Sequence, residues 1–104
     1  MTPLETLKAA RDLISDPARW TQGCAARNAN GESVDLMDEP AVCWCALGAI
    51  ARTELVRGSG ISDASKALRR VTPFGLVAHF NDTHDHAEVI ALFDAAIAEL
   101  EGEG

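Results

Sequence analysis

The stretch Ala41-Val42-Cys43-Trp44-Cys45-Ala46-Leu47-Gly48-Ala49-Ile50-Ala51-Arg52 decides how this chain is read. Wound as a helix, it is apolar on nearly every side, and Asp38-Glu39-Pro40 places acids and a proline where a helix begins. The run therefore predicts a buried central helix over about 40–57, ending near Gly58-Ser59-Gly60.

Working back from that helix, the 3.6-residue period is missing between Trp20 and Met37. Cys24-Ala25-Ala26-Arg27, then Asn28-Ala29-Asn30-Gly31, then Glu32-Ser33-Val34 reads as strand, turn and strand, a hairpin at about 24–34. A two-stranded ribbon is marginal alone, so it is expected to lean on the helices through Trp20, Ala26 and Val34. Earlier still, Thr2-Pro3-Leu4-Glu5 is a capping-box start, and Leu4, Leu7, Ala10 and Ile14 follow at helical spacing until Ser15-Asp16-Pro17 breaks the run.

Beyond the central helix, Ser62 is placed to cap a short helix carrying Ala64, Ala67, Leu68 and Val71, stopped by Thr72-Pro73. Phe74 to Phe80 supplies one or two further turns, with Asn81 suited to a left-handed helix end. Asp85-His86-Ala87-Glu88 is a second capping box, and Val89, Ile90, Phe93, Ile97 and Leu100 mark one face of a final helix over about 86–101. The expected fold is mainly α: a single domain over 1–104, a small bundle of four to five helices with one short β-hairpin between helix 1 and the buried central helix.

Composition narrows the function classes. Hydrophobic residues make up 47% and charged residues 24%, ordinary for a globular chain. No apolar run reaches the ~18–20 residues of a bilayer span and no signal peptide is visible, so a cytoplasmic protein without membrane contact is expected. The three cysteines, Cys24, Cys43 and Cys45, read as free thiols. All nine Lys and Arg lie at or before Arg70 with nine of the sixteen acids, so the net charge of −7 falls on the segment from Asp82 onward. That distribution argues against direct contact with nucleic acid, whose phosphates need a basic face.

The blocks Trp20-Thr21-Gln22-Gly23, Ala26-Arg27, Gly31, Trp44-Cys45-Ala46-Leu47-Gly48-Ala49 and Asn81-Asp82 resemble an uncharacterised family of small bacterial and bacteriophage proteins. The chain has Phe80 where the family pattern leads one to expect Trp. The resemblance covers most of the chain and implies a fold and a bacterial or phage setting, with no activity to carry over.

Candidate chemistry is sparse. Cys43 and Cys45 would lie about 200° apart around a helix and cannot share one metal ion. Either is a candidate nucleophile, Cys43 in the first turns after Pro40 where the helix dipole lowers a thiol pKa, with His79, His84 or His86 as base oriented by Asn81 or Asp82. Buried free cysteines are more often packing residues. His84 and His86 are weak metal candidates beside Asp82 and Asp85, outweighed by simple helix capping; no cofactor is expected.

Arg27, Asn81 and Asp82 are polar residues that packing does not demand, and with Trp20 they are the expected lining of any ligand pocket. Trp44 is read as core. The reading that follows is a non-catalytic binding or protein-interaction module for an unknown protein or small ligand. Two alternatives stand beside it: an acidic, phage-type inhibitor of a basic or nucleic-acid-binding partner, and a cysteine-dependent hydrolase. Ala91, Ala95 and Ala98 on the last helix offer a face for a homodimer.

Overall fold

Local capping signals set the outer helices. In the computed structural model, which describes residues 2–57 and 63–103, helix α1 spans Pro3–Leu13. Thr2 Oγ1 accepts from the Glu5 amide at 3.1 Å and Glu5 Oε1 accepts from the Thr2 amide at 3.1 Å, a complete capping box. After a 3-10 turn at Pro17–Arg19, β1 (Ala26–Asn28) pairs antiparallel with β2 (Ala41–Trp44), matching Ala26 with Trp44 and Arg27 with Cys43. Then come α2 (Ala46–Arg57), α3 (Ala64–Val71), a 3-10 turn at Pro73–Gly75, α4 (Val77–Thr83) and α5 (His86–Glu103). The fold is mainly α, five helices with one two-stranded antiparallel hairpin among the described residues.

The central segment departs from its expected form. Ala41–Trp44 is a strand, and the helix expected from residue 40 begins only at Ala46. An apolar run of this length carries no periodicity that separates strand from helix, and here the tertiary partner decides. Ala41, Cys43 and Trp44 are buried while Val42 faces outward, and pairing with β1 satisfies backbone groups that a longer helix would have satisfied internally.

The hairpin also changes partner. The expected turn forms at Asn28–Gly31: the Gly31 amide donates to Asn28 O, Asn28 Oδ1 accepts from the amides of Asn30 and Glu32, and Gly31 takes φ 81°. Glu32–Val34, however, forms no named strand: it contributes a bridge between Ser33 and Arg27, with the Val34 amide donating to Ala26 O and Glu32 O accepting from the Asn28 amide. The chain continues past it, and β2 supplies the strand.

Helix α2 ends at Arg57, so the expected stop at Gly58-Ser59-Gly60 and the Ser62 cap lie outside the described residues. Asn81, expected at a helix terminus, sits inside α4; the left-handed residues in this part of the chain, between α3 and α4, are Phe74 and Gly75, at φ 57° and 70°. The second capping box forms as read, Asp85 Oδ1 accepting from the Glu88 amide at 2.8 Å and Glu88 Oε1 from the Asp85 amide at 3.2 Å.

The core lies where α1, α2, α3 and α5 meet, and Leu7, Ile14, Ile50, Leu68, Val89 and Phe93 are its largest fully buried apolar side chains. Ala10, Ala49, Ala67 and Ala96 are buried among them, small enough to let the helices approach closely. Trp44 is core as read: its ring is buried, its Nε1 donates to Leu36 O at 3.0 Å, and Arg52 lies over it at 4.8 Å.

Candidate functional site

The loop that enters β1 is strapped to α4 by polar side chains. Trp20 Nε1 donates to Asn81 Oδ1 at 2.7 Å, and the same oxygen accepts from the Ala46 amide at the start of α2 at 3.0 Å. Asn81 Nδ2 donates to Thr21 O at 3.0 Å and to Asp82 Oδ1 at 3.1 Å. One carboxamide, 1% exposed, thus uses two acceptor and two donor positions to join a loop and two helices. Gln22 Nε2 adds bonds to Asn81 O and His84 O, and the Gly23 amide donates to Asp82 Oδ1 at 2.9 Å.

Arg27 closes the other side of this loop. Its guanidinium donates to Thr21 Oγ1, Gly31 O and Gln22 O at 3.0, 2.9 and 3.0 Å, binding the loop to the hairpin turn. Trp20, Arg27, Asn81 and Asp82 are therefore brought together, but the polar atoms of the first three bond one another's surroundings. Of the four, Asp82 alone lines the open space beside the loop.

That space is an apolar cleft of about 370 Å³ lined by Cys24, Ala25, Leu36, Cys45, Leu47, Gly48, Ala51, Ala78 and Asp82, with Gly23 at its edge. Its shape follows from one close approach. A Cβ on Gly48 would lie 2.2 Å from Ala25 O, so only glycine lets α2 start against the loop, where the Cys45 amide donates to Ala25 O at 3.1 Å. Cys45 precedes the first residue of α2 and caps it, its Sγ accepting from the Gly48 amide at 3.2 Å.

Burial pushes the Cys45 thiol pKa up, and the nearby Asp82 carboxylate pushes the same way, against a downward pull from the Gly48 and Leu47 amides. Cys45 is held as a thiol, the opposite of what a nucleophile needs. Cys43 is not in the first turns of a helix: it lies in β2, before α2 begins, its Sγ donating to Arg27 O at 3.8 Å.

The candidate bases are engaged elsewhere. His84 Nδ1 contacts Phe80 O at 3.0 Å with its ring stacked on Phe80 at 3.7 Å. His86 Nε2 contacts Ile14 O at 2.7 Å, its ring edge-on to Trp20 at 5.7 Å. His79 is exposed on α4. Among the described residues no thiol bonds an imidazole, and no three of the His, Cys, Asp and Glu side chains converge as a metal shell would require.

The cleft continues into a second of about 380 Å³, sharing Leu47 and Ala78 with the first and adding Arg69, Gly75, Leu76, Val77 and His79. Leu76 and His79 in turn border a third of about 280 Å³ that ends at Phe74. Phe74 is 96% exposed on its left-handed backbone, beside Leu76 at 54%. Phe74, Leu47 and Leu76 are not among the site residues expected from the sequence, because no periodicity signals their exposure. The Pro73-Phe74-Gly75 turn, which sets a large ring where a helix cannot run, was the available sign.

On α5, Ala91, Ala95 and Ala98 are exposed, while Asp94 pairs with Arg11 and Glu101 with Lys8 at 3.6 Å. No helix among the described residues is long and apolar enough to cross a membrane.

No curated protein and no solved structure matches the chain. The sequence model of a family of unknown function (DUF6197) matches residues 1–99, spanning the capped α1, the Trp20–Asn81 strap, the Cys45 cleft and most of α5. The chain therefore belongs to the DUF6197 family of unknown function.

Proposed function

We propose that the protein is a non-catalytic binding module, working in the bacterial or phage setting its motifs suggest, and that its working surface is the run of clefts from Cys45 to Phe74. One observation carries this reading. On a chain of net charge −7, the lining of the three adjoining clefts contains a single carboxylate, Asp82, and that group already accepts from Gly23 and Asn81. An apolar, acid-depleted surface with exposed Phe and Leu side chains is the composition of an interface core. The raised thiol pKa of Cys45 and the engaged imidazoles of His84 and His86 weigh against the hydrolase alternative.

The ligand class follows from the walls: an apolar side chain or small apolar group seated against Leu47, Ala51 and Ala78. A naphthalene-sulfonate dye tests this in the native protein. Binding should weaken about tenfold or more in Leu47→Asp, the loss expected when a charge replaces a buried apolar contact, and stay unchanged in Val56→Asp, which alters an exposed apolar residue in a separate recess. Equal binding in wild type and Leu47→Asp would remove the cleft as the site.

A further inference from the structure

Resting on that reading, we infer that the occupant of the cleft is Phe74 of a second copy of this chain, inserted reciprocally about a two-fold axis. Phe74 and the cleft lie on one continuous surface, joined through Leu76, Ala78 and Leu47, as an isologous interface requires. The knob is built to project: its ring is 96% exposed and its backbone is held left-handed at φ 57°, a conformation that non-glycine residues avoid.

Charge is self-complementary across such a contact. Arg69, whose side chain packs over Gly75 beside the knob, has no ion-pair partner among the described residues. Asp82 stands at the rim of the hole. A two-fold axis that seats Phe74 in the partner's cleft brings each Arg69 toward the partner's Asp82, twice per dimer. Elsewhere two chains of net charge −7 repel, so the acid-depleted face is where copies meet at least cost. The area is adequate for a weak dimer: a Phe ring carries roughly 150–250 Å², a sizeable share of the ~800 Å² per partner of a standard interface.

Sedimentation velocity of the intact protein, from about 0.01 to 1 mM to cover weak specific association, tests the inference. The expected result is a concentration-dependent monomer–dimer equilibrium, abolished in Phe74→Asn and in Ala78→Glu and weakened about tenfold in Arg69→Glu, with the circular dichroism of all three unchanged. Asparagine tolerates the left-handed backbone, so loss of dimer in Phe74→Asn reports the ring and not misfolding. A wild type that stays monomeric throughout overturns the inference, as does a dimer that persists in Phe74→Asn, which would place the contact elsewhere, for example on Ala91, Ala95 and Ala98. The binding-module reading falls separately, on the dye measurement with Leu47→Asp.

Discussion

Trp20 and Asn81, 61 positions apart in the chain, are joined by a hydrogen bond of 2.7 Å from the indole Nε1 to the side-chain Oδ1. The same Oδ1 accepts from the Ala46 amide at 3.0 Å, so one buried oxygen sets the loop, α4 and the start of α2 relative to one another. The cleft exists because these three pieces are held in register.

Asn81→Ala tests that dependence. It strands the Trp20 indole N–H, the Ala46 amide and Thr21 O in a site that is 1% exposed. The expected loss is about 2–4 kcal/mol, the range for orphaning buried polar groups, read as a lower urea midpoint with unchanged slope.

Gly48→Ala places a Cβ 2.2 Å from Ala25 O, a backbone atom that has no rotamer to move. A cost of about 1–3 kcal/mol is expected from forced overpacking, together with loss of the Cys45 amide bond to Ala25 O. Hydrogen exchange at the Cys45 amide should rise well beyond the global change in stability.

Phe74→Asn should act in the opposite direction. The ring contributes little burial at 96% exposure, and asparagine is tolerated at φ 57° where phenylalanine is strained. In dilute solution the variant should be more stable by about 0.5–1 kcal/mol, within the usual cost of a left-handed non-glycine residue, in a denaturant melt.

The Cys45 thiol gives a pH dependence. Its pKa is raised chiefly by burial, so above the ordinary thiol value of about 8.5 the unfolded chain releases this proton before the folded one does. The folded state then binds more protons, and stability falls as pH rises through that window and on toward the folded pKa. Cys45→Ala should flatten the part of the decline above pH ~8.5 that belongs to this group. Native-state alkylation of Cys45, followed by mass spectrometry, should stay slow at neutral pH and accelerate only above the usual thiol range.

Capping boxes at Thr2–Glu5 and Asp85–Glu88, the Asn28–Gly31 turn and the stripes of α1 and α5 were all legible in the sequence, because each is decided by residues within one or two turns. Ala41–Trp44 was not. Its strand state depends on a partner 13 to 18 residues upstream, and its apolar residues suit a buried helix equally well. The strand places Cys45 at the cap of α2 instead of a helix interior, and Cys43 in the sheet instead of a helix start.

At the candidate site, Arg27, Asn81 and Asp82, polar residues that packing does not demand, come together with Trp20. Their reason is the strap itself: Arg27 and Asn81 satisfy backbone groups of an irregular loop. The apolar walls beside them could not be read in advance, because whether a Leu such as Leu47 faces core or solvent depends on where α2 begins.

The most direct test is a ¹H–¹⁵N titration of the native protein with N-acetyl-phenylalaninamide, a mimic of a single apolar side chain. The amides of Cys24, Cys45, Gly48, Ala51 and Ala78 should shift together and saturate with a dissociation constant in the millimolar range, about −4 kcal/mol, while Ala91, Ala95 and Ala98 stay unmoved. Shifts scattered over the surface, or confined to α5, would contradict the assignment of the cleft as the binding surface.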